Sequence, residues 1–447
     1  MRPAVFSESD LARFVKEIKQ ARLARHRRMV VLVGENDGNL VMGALELLNA
    51  FYSRFTDIKG TVLYVYHAFY DDGVARKEMF ERGYSLPLDV EYVPFHECEK
   101  VLGRTYIVAI IDLMNNLEPN DLGKLTGVVE GGGFYVLLMH KFNVYLKMLT
   151  RFQMTLLTSQ YKPEDVRKLF IRRFVKKLFE HKGIAIYDVD ERKFIKHFTK
   201  VSAKRYERSK LKLPEKAKIP RAVYELALTQ DQVNVLKLLE DFYERPKEGE
   251  KKVLVLTADR GRGKSSVVGL GLGGLAHRLR RAKGSCRILV TAPSPSNVQE
   301  LMKFAKIALK KLKHEVEVIE GDGLIVGLRS RGIDVQYRSP LAAARLRADI
   351  LAVDEAASLH VPMLFALLKR FDRIVYSSTI HGYEGAGRGF SVRFLSRLRR
   401  LKEVNITEYT MTEPIRYAPE DPIEKWAFDL LLLDAEPAEL DERDLRM

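Results

Sequence analysis

Lys264 and Ser265 close a glycine-rich stretch, Ala258-Asp259-Arg260-Gly261-Arg262-Gly263-Lys264-Ser265, that follows directly on the apolar run Val253-Leu254-Val255-Leu256. A strand that breaks into a glycine turn and then a helix is the setting a phosphate-binding loop requires. Gly261 and Gly263 let backbone N–H groups face phosphate oxygens with no Cβ in the way. Lys264 would bring a point charge to the β- and γ-phosphates, and the Ser265 hydroxyl would complete a Mg²⁺ shell. The first glycine of the general pattern is replaced by Ala258. Gly-Lys-Ser alone arises often by chance, so a second element has to accompany it.

That element is Ile350-Leu351-Ala352-Val353-Asp354-Glu355. An apolar run ending in two acids reads as a Walker B strand. Asp354 at the strand tip would hold Mg²⁺, and Glu355 would polarise an attacking water. A buried strand capped by two solvated acids is common by itself. Placed 90 residues after Lys264, it instead specifies a RecA-like NTPase.

Around those residues, a chain of 447 residues suffices for two or three domains with their own cores. No apolar run reaches the ~18 residues of a membrane span, and the N-terminus lacks a signal-peptide pattern. Cys98 and Cys286 stand far apart and offer neither a disulfide framework nor a zinc pattern, which fits a reducing cytoplasm. The histidines form no ligand cluster. The formal net charge of +16, with a pI near 9.5, suits a polyanionic partner, most simply nucleic acid. Lys and Arg gather at 22–28, 167–182, 200–218, 278–283 and 388–402; any single run is commonly a solvated helix face, and the net excess carries the argument. A membrane surface is the competing partner.

The fold class expected is α/β, with two parallel-sheet domains, the second a RecA-like P-loop ATPase. Residues 29–34, 61–66, 106–112 and 134–139 read as buried strands of a mostly parallel sheet in a domain over 1–199. Residues 200–221 read as a basic linker, 222–412 as the ATPase, and 413–447 as a closing segment with an amphipathic helix around 423–433. The turn Gly34 to Asn39 lacks Lys-Ser/Thr and reads as a strand-to-helix connection. Gly131-Gly132-Gly133 reads as a tight bend before a strand.

Gln232, in Thr229-Gln230-Asp231-Gln232, sits where helicase-like ATPases read the adenine edge, and it equally fits a capping box with Thr229. Thr291 to Ser294 ends the strand after the P-loop helix, where helicases contact nucleic acid. Ser377-Ser378-Thr379 ends another strand, where polar groups can sense a γ-phosphate. There is no Asn-Lys-x-Asp element, which favours ATP over GTP.

Taken together, the P-loop 257–265, Thr291-Ala292-Pro293-Ser294-Pro295, Asp354-Glu355-Ala356-Ala357, the run 378–388 and above all Glu413-Pro414-Ile415-Arg416-Tyr417-Ala418-Pro419 to Trp426 resemble the RNA cytidine acetyltransferases. Val129-Glu130-Gly131-Gly132-Gly133 resembles that family's first domain, and Ala258 is normal for it. The resemblance implies a RecD-like helicase module that hydrolyses ATP with Mg²⁺ in the service of N4-acetylcytidine formation on RNA, with tRNA as the expected substrate. It implies ATP ligands at Gln232, Arg260, Gly261, Arg262, Gly263, Lys264, Ser265, Ser266 and Arg416. Lys264, Asp354, Glu355 and Arg416 are the catalytic set, and Ser265 and Asp354 the metal ligands. A guanidinium at Arg416 could clamp the γ-phosphate.

One departure is expected to matter. The family follows this segment with a GNAT acetyltransferase domain, whose acetyl-CoA loop has the form [QR]-x-x-G-x-[GA]. The nearest stretch here, Gly382 to Gly387, has Gly where Gln or Arg is needed. The chain is therefore expected to bind ATP without transferring acetyl groups unless a partner chain supplies the GNAT fold. The alternative is a stand-alone RNA-dependent ATPase with no modification role.

Overall fold

The computed structural model describes residues 4–199, 204–379 and 389–435. The chain forms two compact units: residues 1–207 with 416–447, and residues 208–415.

The first unit is built on strands β1 (Arg28–Val33), β2 (Thr61–Tyr66), β3 (Asp89–Pro94), β4 (Tyr106–Asp112), β5 (Val129–Met139), β6 (Ile184–Asp188) and β7 (Lys193–Lys196), in the order β3-β2-β4-β5-β1-β6-β7. All neighbours run parallel except β6 and β7. Alternation of side chains along each strand sends the apolar residues to two faces. Met29, Val31 and Val33 join a core containing Phe174 and Trp426, while Val30 and Leu32 join one containing Phe14, Phe51 and Phe80. That is why β1 is buried along its whole length and reads as continuous hydrophobic sequence.

Two features of this unit differ from the reading of its sequence. Gly131 to Gly133 lie inside β5 rather than in a bend before it. The strand passes so close to neighbouring backbone that a Cβ at Gly131 would sit 2.2 Å from the Arg25 carbonyl oxygen, and one at Gly133 2.0 Å from that of Ile107. The segment from Arg416 onward also belongs to this unit. Asp421 caps the helix Pro422–Leu431 by accepting from the Ile423 and Glu424 N–H groups, and Pro422 opens it. Ile423, Trp426, Ala427 and Leu430 form its i, i+3, i+4, i+7 stripe and enter the core beside Phe174.

The second unit holds β8 (Lys251–Ala258), β9 (Cys286–Thr291), β10 (Glu317–Gly321), β11 (Leu324–Ser330), β12 (Ile333–Tyr337), β13 (Ile350–Val353), β14 (Arg373–Thr379) and β15 (Val404–Met411), in the order β10-β11-β12-β9-β13-β14-β8-β15. From β12 to β15 all pairs are parallel, and β14 inserts between the P-loop strand β8 and the acid-bearing strand β13. β10 to β12 form an antiparallel extension. Its first turn is Asp322-Gly323, both at positive φ, the two-residue hairpin signal that the sequence carries at this point.

Residues 208–221 are part of this unit and do not form a free linker. Ile219 is fully buried in its core, and Leu211 and Leu213 pack on the same cluster, so apolar residues interleaved with the lysines fasten the stretch down. Residues 200–203 and the glycine-rich run 382–387 lie outside the described residues.

Candidate nucleotide-binding site

β8 ends at Ala258, and the helix Lys264–Lys283 begins six residues later with Gly263 as its N-cap. Gly261 and Gly263 both adopt φ near +75 to +79°, which only glycine takes without strain. A Cβ at Gly263 would lie 2.2 Å from Ile415 Cδ1 and 2.6 Å from Gln232 Nε2, so the loop is packed as well as turned. Its shape is held from both sides. The Ile415 N–H donates to the Gly261 carbonyl at 3.0 Å, the Ser266 hydroxyl to the Gly263 carbonyl at 3.1 Å, and Arg262 Nη1 to the Arg260 carbonyl at 3.1 Å.

Parallel pairing in the order β8-β14-β13 brings three strand ends to one place. Lys264 Nζ donates to Asp354 Oδ1 at 3.0 Å, Glu355 Oε1 at 3.2 Å and Ser377 Oγ at 3.2 Å. Ser377 Oγ donates to the same Asp354 oxygen at 2.7 Å, and Thr379 Oγ1 to Glu355 Oε2 at 3.3 Å. Asp354 is fully buried and Lys264 nearly so. Burial works against the charge on each. It is outweighed at Asp354 by the Lys264 ammonium and by hydrogen bonds from Ser377, Ser265 and Lys264, which hold the carboxyl below its ordinary range. At Lys264, burial is outweighed by the Asp354 and Glu355 charges, which raise the ammonium. Glu355 stands at φ +47°, a strained conformation for a glutamate of the kind that collects at functional sites.

The donor set fits Mg²⁺. Asp354 Oδ2 is buried with no hydrogen-bond partner among the described residues, and the Ser265 hydroxyl lies in the same carboxylate's hydrogen-bond environment. A hard cation takes oxygen ligands of this type. Among the described residues no cluster of three or more His, Cys, Asp or Glu offers another metal site.

Gln232 takes part in the Thr229 cap through its backbone, and its side chain turns to the P-loop. Its N–H donates to the N-cap Thr229 Oγ1, while its carboxamide accepts from the Leu228 N–H at 2.7 Å and reaches the Gly263 carbonyl at 3.4 Å. The side chain thus ties the helix Gln230–Leu239 to the P-loop. Arg416 belongs to the first unit, where Nε donates to Thr105 Oγ1 and Nη1 to the Gly127 carbonyl, both at 3.1 Å. Sequence reasoning also passed over Asp231. This buried carboxylate accepts from Tyr409 Oη, the Thr412 N–H and the Glu413 N–H, and so anchors the chain leaving β15. The only available signal was an acid in the first helical turn, which normally reads as a dipole effect.

Among the described residues no helix is long and apolar enough to cross a membrane. Comparison with known proteins agrees with the sequence resemblance. Residues 1–189 match the model of the tRNA(Met) cytidine acetyltransferase TmcA N-terminal domain, and residues 255–434 match that of the RNA cytidine acetyltransferase NAT10/TcmA helicase domain. The tRNA(Met) cytidine acetyltransferase TmcA of Thermofilum pendens is 55% identical over 97% of this chain and 54% of its own length. Those of Pyrococcus abyssi and Pyrococcus furiosus are 42% and 44% identical over 94% of this chain and 53% of theirs. The chain thus spans about half the length of the curated relatives it matches. The large terminase of a thermophilic bacteriophage, at 12% identity and a TM-score of 0.31 over 41% of this chain and 46% of its own, is too distant to bear on the site. With both of its units matched in this way, the chain belongs to the RNA cytidine acetyltransferase family, of which it carries the N-terminal and helicase domains.

Proposed function

We propose that this chain is the ATP-hydrolysing, RNA-handling part of a tRNA cytidine acetyltransferase, working with a GNAT-type domain that accepts acetyl-CoA and makes N4-acetylcytidine. The observation that carries the ATPase reading is the buried network of Lys264, Asp354 and Ser377 at the joined ends of β8, β13 and β14.

In this reading Lys264 and the N–H groups opening the helix Lys264–Lys283 bind the β- and γ-phosphates. Ser265 and Asp354 would hold Mg²⁺, which when bound neutralises charge shared between those phosphates. Glu355, oriented by Thr379, takes a proton from the attacking water. Gln232 holds the loop and contributes toward the base, and Arg416 remains the phosphate ligand that the family resemblance implies. The net charge of +16 and relatives named for tRNA(Met) support RNA as the partner.

Steady-state ATP hydrolysis and nucleotide binding by the purified chain test this. Lys264→Ala should lose nucleotide affinity, and Glu355→Gln should bind nucleotide but hydrolyse it on the order of 10²–10⁴ more slowly. Unchanged turnover in both variants would remove the ATPase assignment.

A further inference from the structure

The second unit carries a groove of about 1040 Å³ at the sheet edge opposite the P-loop. It is lined where strands begin: Cys286 opens β9, Ile333 opens β12, Asp349 precedes β13 and Arg373 opens β14. The strands are parallel, so the phosphate loop and Asp354, at strand C-terminal ends, lie on the far edge. Arg245, Arg287, Arg329, Arg347, Lys369 and Arg370 line the groove, and all six are exposed. Arg373 is buried beneath them. Its guanidinium donates to the Phe242 and Asp349 carbonyls, fixing the floor.

Three carboxylates share the groove, and each is already engaged. Asp334 meets Arg287 at 3.4 Å and Arg329 at 3.9 Å, Asp349 meets Arg373 at 3.6 Å and Arg245 at 3.7 Å, and Asp372 meets Lys251 at 3.5 Å. A surplus of positive charge remains, mostly as guanidinium, whose planar fork suits phosphate oxygens. The cations come from several separate elements: Arg287 from β9, Arg329 from β11, Lys369 and Arg370 from the helix Val361–Arg370, and Arg245 and Arg347 from connecting segments. That spacing fits a chain of phosphates better than a single anion.

We propose that this groove binds the phosphodiester backbone of RNA, on the face of the ATPase unit turned away from its nucleotide. The proposal rests on the RNA-handling reading above and adds where the RNA lies. It is a positioning contact, carrying affinity without sequence preference.

The test compares two neutralised triples of the full chain with equal loss of charge. The first, Arg245→Gln/Arg347→Gln/Lys369→Gln, removes groove cations. The second, Lys303→Gln/Lys310→Gln/Lys311→Gln, removes exposed lysines of the helix Gln299–Lys311. Labelled oligouridylate and a hairpin RNA are titrated across salt concentrations, with folding followed by thermal melting. The groove triple should bind about ten- to a hundredfold more weakly at low salt, and its log K against log salt slope for oligouridylate should shrink by about 2, at ~0.7 per lost contact. The helix triple should bind nearly as the parent does. Equal weakening in both triples, or none in either, overturns the proposal. So does polyglutamate binding the parent as tightly as RNA and losing affinity in the same triple, which would make the groove a site for acidic polypeptide. A parent chain that binds neither RNA overturns the underlying reading as well.

Discussion

Arg27 and Asp421, 394 residues apart in sequence, form a fully buried ion pair inside the first unit. Arg27 Nη2 and Nε donate to Asp421 Oδ1 at 2.9 and 3.1 Å, and the Arg27 N–H donates to Oδ2 at 2.6 Å. The guanidinium also lies 3.6 Å from the Tyr417 ring centre and donates to the Thr126 carbonyl. Burial opposes its charge, but Asp421 more than compensates and raises the Arg27 pKa.

Removing the carboxylate should strand a buried cation. Asp421→Ala is expected to destabilise the first unit by about 3–5 kcal/mol, most of it from the uncompensated guanidinium. The lost helix cap adds ~1 kcal/mol. Urea unfolding measures this, and a midpoint matching the parent would show that the pair carries no stability.

Ser377→Ala should act on chemistry with little effect on fold. Asp354 would lose its 2.7 Å hydrogen bond, one of the contacts holding its carboxyl below the ordinary range. Without that bond the Asp354 carboxyl should take up its proton at higher pH than in the parent. The variant's acid limb should therefore move to higher pH. A hydrogen bond to a charged group is worth ~1.5–3 kcal/mol, so turnover should fall about tenfold or more. A kcat against pH profile that overlays the parent's would count against this role.

In the first unit, Gly131→Ala and Gly133→Ala each drive a Cβ into backbone that cannot move aside, and each should cost at least ~1–3 kcal/mol. Gly127→Ala is the control, since a Cβ there meets nothing within 4 Å. Melting temperatures of the three variants check the ordering.

His67 gives the first unit an acid-sensitive point. It stacks on Phe95, its Nε2 lies 3.3 Å from the Asn116 carbonyl oxygen, and burial lowers its pKa to about 4. Above pH 6.5 the ring is neutral in both folded and unfolded chains, so it contributes no pH dependence. Between 6.5 and about 4 only the unfolded chain takes the proton, and stability falls by up to roughly 3 kcal/mol at ~1.4 per unit. His67→Gln should flatten the stability curve in that window. A curve as steep as the parent's would assign the acid sensitivity to other groups.

Contiguous residues set what could be read from the sequence. The strands of the parallel sheets declare themselves because both faces are buried, as in Met29 to Val33 and Ile350 to Val353. The P-loop declares itself because its glycines, Lys264 and Ser265 act as one short unit of backbone. Asp354-Glu355 is similar, since a strand tip and its acids are adjacent along the chain.

Tertiary structure decided everything that depends on distant partners. Placing β14 between β8 and β13 is what puts Ser377 on Asp354 and Thr379 on Glu355; nothing in Ser377-Ser378-Thr379 itself names those partners. The basic stretch 200–221 reads as a linker because its charges outnumber Leu211, Leu213 and Ile219, yet packing of those three residues on the core fixes the place of 208–221. The closing helix reads as amphipathic but names no partner, because Phe174, against which Trp426 packs, lies far earlier in the chain. Local pattern reports which face of an element is apolar. Which surface that face meets is settled only when the whole chain has folded.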